Sequence, residues 1–361
     1  MISGTIAGIS SFTVYPLGEI TITRPSSSYY YISYSPSTAS GTMWIKSTST
    51  ATPMSYQLSS YNGMLKFSDS YPQYLSFESC NWRSIKTNIP MFNESLAFAR
   101  CSTLQNADLY SCTSLSLRTF QYCTSLSQVS LPVCSYIGSS AFIYCYSLSY
   151  ISLPVCTYIG GEAFFVCRSL SQLSLPVCSY IDIGAFGHCS SLTSINLPMC
   201  SYIGSSAFVY CSSLLQISLP MCSYIGSYAF YSCPFLQLSL PVCSYIEDYA
   251  FGNCTSLSQV SLPVCSYIGS SAFTYCSSLS QISLPVCKVI KNAAFLGCTS
   301  LSIITLGYSG VCMLDLSIAF LNTQISSSTG RIYVPASLVS AYKSATNWSY
   351  FSAIIQSYPG L

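Results

Sequence analysis

One short sequence recurs along most of this chain and restricts its fold more than any other feature. Leu-Pro-Val/Met-Cys appears with Pro at positions 132, 154, 176, 198, 220, 241, 263 and 285, in steps of 22 residues with a single step of 21. Between these marks lies Ala-Phe-x-x-Cys, with Phe at 142, 164, 186, 208, 230, 251, 273 and 295. A unit this short cannot bury an apolar face alone. It must stack on its neighbours, and a stack of such units is a solenoid.

The unit Leu126–Ser147 reads LSQVSLPVCSYIGSSAFIYCYS. Its apolar positions are 1, 4, 6, 9, 12, 16, 17 and 20: Leu126, Val129, Leu131, Cys134, Ile137, Ala141, Phe142 and Cys145. Val129-Ser130-Leu131 alternates and predicts a short strand. Pro132 cannot donate to a ladder, so the strand stops there. Gly138 permits a bend, and Ser139 to Tyr144 is expected to form one turn of helix or 3₁₀ that carries Ala141 and Phe142 inward.

The order L-x-x-V-x-L-x-x-C, followed by P-x-C-x-x-I-G-x-x-A-F-x-x-C, resembles the BspA-like class of leucine-rich repeats. That class occurs on anaerobic gut and oral bacteria, on trichomonads and in phages of gut bacteria. The resemblance implies a leucine-rich-repeat solenoid of parallel β strands with short helical or 3₁₀ turns. Fainter copies extend it. Leu104, Ala107, Leu109, Cys112, Leu115, Phe120 and Cys123 fill one preceding rung, and Trp82, Ile85, Ala97, Phe98 and Cys101 fit the one before. Leu301, Ile304 and Leu306 open a rung with an insertion at Gly307–Gly310, and Ala319-Phe320 returns to phase.

About eleven rungs are expected within a solenoid of residues 62–330. Residues 331–361 are read as a strand ending at Pro335 and then a helical cap, an ending similar to that of leucine-rich proteins of gut Firmicutes and their phages. Residues 1–61 do not match the repeat. They alternate as strands at Glu19–Thr23, Tyr29–Tyr34 and Thr42–Lys46, and predict a small β-rich domain or cap.

The repeats also bear on what the 21 cysteines are for, with buried free thiols as the first reading and some disulfides or metal binding as the alternatives. They fall every 11 residues from Cys101 to Cys233, at rung positions 9 and 20. Zinc sites need clustered ligands such as C-x-x-C, and none occurs, so no metal or other cofactor is expected. The columns read as buried, unbridged thiols. A small donor at position 9 can satisfy a turn carbonyl.

Charge is sparse: 12 basic and 10 acidic residues with one His, 6% charged in all. That gives no basic surface for nucleic acid. His188 and scattered carboxylates supply no repeated acid–base pair, and the serines have no base to activate them, so no catalytic residues and no enzyme are expected. No apolar run is long enough to cross a membrane and no signal peptide is evident, so membrane insertion is not expected.

Two outward stripes remain as candidate binding faces. Position 3 carries Gln128, Gln172, Gln216, Gln237, Gln259 and Gln281, with Ser or Asn at position 5. This row is either a self-bonded amide ladder or an adaptable polar face. Position 11 carries Tyr136, Tyr158, Tyr180, Tyr202, Tyr224, Tyr245 and Tyr267. These rings either stack between rungs or offer aromatic faces to a ligand. The expected function is non-enzymatic recognition or adhesion at a cell surface, with a host or bacterial-surface protein or glycan as partner. The alternative is a structural or receptor-binding part of a phage virion or surface assembly, docked through residues 1–61.

Overall fold

The computed structural model describes residues 95–307 and 310–358, and before them Ile85 and the backbone of strands between Ser3 and Phe92. The chain divides into two compact units, Met1–Pro176 and Val177–Leu361. Each holds a parallel β-solenoid built from two rows of very short strands.

In the first unit one row holds Ser84–Thr87, Asn106–Asp108, Gln128–Ser130, Tyr150–Ser152 and Gln172–Ser174. Each strand pairs in parallel with the next at the sequence period, so Ile85 faces Ala107, Ala107 faces Val129, and Val129 faces Ile151. The second row holds Met91–Phe92, Ser114–Leu115, Tyr136–Ile137 and Tyr158–Ile159. The expected N-terminal strands are present at Glu19–Ser26, Tyr29–Ser35 and Ser40–Lys46. Glu19–Ser26 pairs in parallel with Ser84–Thr87 and antiparallel with Tyr29–Ser35, so these two strands prolong the first row, while Ser40–Lys46 lies in a separate three-stranded antiparallel sheet. The boundary expected at residue 61 lies outside the described residues.

In the second unit the Tyr row runs unbroken from Tyr180–Ile181 to Met313–Leu314. The Gln row is instead grouped. Ser194–Asn196 pairs with Gln216–Ser218, and Gln237–Ser239 with Gln259–Ser261. Gln281–Leu284 leads a group with Ile303–Leu306, Arg331–Val334 and a final strand, Ile355–Ser357.

The apolar slots read from the repeat are the core. Leu126, Leu131, Cys134, Ile137, Ala141, Phe142 and Cys145 are buried, as are the equivalents in later rungs. Phenylalanines stack directly on one another. Centroids lie 5.3 Å apart for Phe120–Phe142 and 5.0 Å for Phe142–Phe164. In the second unit Phe208 sits 5.2 Å from both Phe186 and Phe230.

The expected helical turn is realised as successive tight turns. Alternate amides bond within the rung, as in Val209 N–H to Ser206 O (3.1 Å), and to the next rung, as in Phe208 N–H to Ala229 O (2.8 Å). The inward bonds are of 3₁₀ type, but residues in the left-handed region interrupt any continuous helix. Ser206 and Tyr210 have φ of 57° and 56°. A non-glycine residue there costs roughly 1–2 kcal/mol, which the inter-rung bonds must offset. A true 3₁₀ helix takes this place only at Ser317–Phe320 among the described residues. The repeat glycine acts through proximity: a Cβ on Gly226 would sit 2.6 Å from Ser205 N.

Each cysteine column has its own hydrogen-bonding role. Position 9 thiols donate within the rung, Cys200 to Tyr202 O and Cys222 to Tyr224 O at 3.3 and 3.2 Å. Position 20 thiols reach back a rung, Cys211 to Phe186 O and Cys233 to Phe208 O, both at 3.2 Å. All twenty described cysteines are buried thiols without disulfides. Burial pushes Cys178 and Cys243 up to about 11, and Cys200, Cys211 and Cys254 up to about 12.

The C-terminal helical region follows Pro335 as expected: a 3₁₀ turn Ala336–Leu338, the helix Val339–Ser344, and a second 3₁₀ turn Trp348–Phe351. Trp348 is buried beside Phe320, and its indole N–H donates to Cys312 O at 2.6 Å. Asn347 donates to the carbonyls of Leu314 and Asp315 at 2.9 and 2.8 Å. These contacts fasten the last rung.

Candidate binding faces

Strand alternation turns positions 3 and 5 outward while position 4 faces the core. Gln128, Gln172, Gln216, Gln237, Gln259 and Gln281 are all exposed. In the second unit Gln237, Gln259 and Gln281 line a groove of about 660 Å³ together with Ser239, Ser261 and Ser283. Ile217, Leu238, Val260 and Ile282 form its aliphatic floor. None of these three amides hydrogen-bonds to another described residue, so the amide ladder allowed by the repeat spacing does not form. Other serines are satisfied. Ser201, Ser223 and Ser266 donate to carbonyls one rung back at 3.1–3.2 Å. The hydroxyls explained by the fold therefore lie outside the groove.

The tyrosines of position 11 take the stacked arrangement. Tyr136 and Tyr158 lie 5.0 Å apart with planes 4° from parallel. In the second unit the spacings are 4.4 Å for Tyr180–Tyr202, 4.9 Å for Tyr202–Tyr224, 5.7 Å for Tyr224–Tyr245 and 4.1 Å for Tyr245–Tyr267. Ring faces inside this column are covered by neighbouring rings, which leaves edges and hydroxyls outward. Tyr224 donates to Glu247 at 3.0 Å. Desolvation first, and then neighbouring phenols, push Tyr180 and Tyr267 up to about 12.

Two surfaces escaped the sequence reading. Position 8 forms an exposed ridge of Val177, Met199, Met221, Val242, Val264 and Val286. Its signal was the Val/Met alternation inside Leu-Pro-Val/Met-Cys. The second is a group of turn-side tyrosines, including Tyr210, Tyr228 and Tyr275, which do not form one regular column.

The ionisable groups do local structural work. Asp182 accepts from the Ile183 amide at 2.8 Å and Asp248 from the Ser270 amide at 2.6 Å. Lys291 pairs with Asp315 at 3.6 Å. His188 lies against the Tyr210 ring. Among the described residues no group of three or more His, Cys, Asp or Glu side chains is placed to hold a metal ion. No described helix is long and apolar enough to cross a membrane.

The model of the BspA type leucine rich repeat region matches residues 73–155, 135–242 and 223–345. No curated protein matches the chain. Among solved structures, a leucine-rich repeat protein from Bacteroides ovatus is 25% identical with a TM-score of 0.43, over 77% of this chain and 82% of that one. A leucine rich cell surface protein from Faecalibacterium prausnitzii is 19% identical with a TM-score of 0.45, over 100% of this chain and 99% of that one. The slots filled by Leu, Ile, Phe and Cys in every rung and the family match over most of the chain agree: this protein belongs to the BspA-type leucine-rich repeat family.

Proposed function

We propose that this is a non-enzymatic recognition protein, displayed at a cell surface, that binds an uncharged protein surface or glycan through its Gln/Ser groove. One observation carries this reading: the amides of Gln237, Gln259 and Gln281 line the groove without intramolecular partners. An exposed amide offers a donor and an acceptor at once, and a regular row of them on a rigid scaffold loses little freedom on binding. The aliphatic floor adds contact area. The Tyr column is the weaker candidate because its faces are already stacked.

The test is an array of surface proteins and neutral glycans probed with wild type and with a Q237A/Q259A/Q281A variant. The proposal expects a wild-type signal that falls at least about tenfold in the variant, since losing several hydrogen bonds of ~0.5–1.5 kcal/mol each removes that much affinity. Unaltered binding by the variant, or no wild-type signal on any feature, overturns it.

A further inference from the structure

The turns opposite the strands carry bulky side chains where the backbone least favours them. Rung positions 15 and 19 are left-handed in every rung of the second unit from Gly184 to Gly297. Several rungs meet this with small or polar residues: Gly184, Ser206 and Ser271 at position 15, and Ser232, Asn253 and Gly297 at position 19. Others place tyrosine there: Tyr228 (φ 57°), Tyr249 (φ 57°), Tyr210 (φ 56°) and Tyr275 (φ 58°). The left-handed φ belongs to the repeat, so what sets these rungs apart is the bulk of the ring placed on it.

Most of these rings gather on one surface. Tyr228 stacks on Tyr249 at 4.7 Å, Tyr231 tilts against Tyr228 at 5.6 Å, and Tyr210 meets Tyr231 edge-on at 5.7 Å. Tyr231 rests on Gly252, where a Cβ would lie 2.8 Å from the ring, so the absence of a side chain makes room for it. Tyr210 and Tyr228 remain 46% and 40% exposed, too much for packing alone to require them. The backbone beneath is tied from rung to rung, with Tyr210 N–H to Tyr231 O at 3.0 Å and Tyr228 N–H to Asp248 O at 3.0 Å. The rings are thus held before any ligand arrives.

We infer that Tyr210, Tyr228, Tyr231 and Tyr249 form a second binding surface, separate from the Gln/Ser groove, that stacks against a neutral oligosaccharide. The size of the patch favours a sugar over a protein. An aromatic side chain buries about 150–250 Å² when fully covered, so four rings that are each less than half exposed offer roughly 150–400 Å². A stable protein interface needs about 800 Å² per partner. Phenol hydroxyls beside partly exposed rings suit a pyranose, which presents C–H groups on its face and hydroxyls at its rim.

The repeat itself supplies the test variant. Serine already occupies position 19 at Ser232 and position 15 at Ser206 and Ser271, so Y210S/Y228S should fold with an unchanged melting temperature. Affinity electrophoresis through gels containing a mannan, a β-glucan, an arabinogalactan or a xylan should retard the wild type in at least one gel. Y210S/Y228S should lose that retardation at least about tenfold, Y210F/Y228F should keep most of it, and Q237A/Q259A/Q281A should leave it unchanged. The inference is overturned if no gel retards the wild type or if the serine variant is retarded equally. It also falls if the serine variant unfolds, which would make the rings structural, or if only the Gln variant loses retardation, which would place the sugar in the groove.

Discussion

Replacing Cys211 isolates what the thiol columns contribute. Its sulfur is buried and donates to Phe186 O at 3.2 Å, a carbonyl that also accepts the Cys189 amide at 3.2 Å. Cys211→Ala leaves that carbonyl one partner, so no acceptor is orphaned. The cost is a lost weak hydrogen bond plus a cavity about the size of one methylene, together about 1–2 kcal/mol. Cys211→Ser keeps a donor, but the shorter C–O bond draws it away from a carbonyl that sulfur reaches at 3.2 Å. The hydroxyl is then buried with a stretched bond, at about 1–3 kcal/mol, so serine should cost at least as much as alanine. Urea unfolding under reducing conditions, followed by circular dichroism, measures both. If serine equals wild type, the column needs only a donor of that size, and the packing role assigned to sulfur is refuted.

Other outcomes follow from the same stacks. Phe208→Ala removes a ring packed between Phe186 and Phe230 and should cost about 3–5 kcal/mol in urea unfolding; under 1.5 kcal/mol would mean that the ring stack is not the core. The thiols of Cys178, Cys243, Cys200, Cys211 and Cys254 are raised from 9.0 to about 11 or 12. Their contribution to stability is therefore complete below about pH 9 and lost as pH rises through 11–12, so the urea midpoint should be flat near neutrality and fall in alkali. A midpoint unchanged at pH 11 contradicts this burial. Trp348→Ala should free the last rung, seen as faster amide exchange at Leu314 and Ile332 with exchange at Ile203 unaltered; uniform acceleration would show that the cap stabilises the whole unit.

The core was legible because each rung repeats the same constraints. Even the faint rung holding Ile85 was found, since Ile85 pairs with Ala107 in register. The turns were harder to read. Their left-handed positions hold Ser, Tyr, Glu, Val, His and Asn, so residue type carries no φ signal there; bonding between rungs imposes the conformation. The strand Ile355–Ser357 was missed because three residues after a helical cap show no period. Spacing located the Tyr and Gln columns, yet it could not tell which was self-satisfied. That depends on distances across rungs: 4.1–5.7 Å between Tyr rings in the second unit, and no bond among the Gln237, Gln259 and Gln281 amides.

The central claim is recognition by an uncharged groove, and the salt dependence of binding tests it most directly. The lining residues Gln237, Gln259, Gln281, Ser239, Ser261, Ser283 and Thr305 carry no charge. For whichever array feature the wild type binds, the dissociation constant measured by biolayer interferometry should change less than about twofold between roughly 0.05 and 0.5 M salt. A fall in affinity of about tenfold or more over that range would require a charged contact surface, which this groove does not have, and would contradict the account.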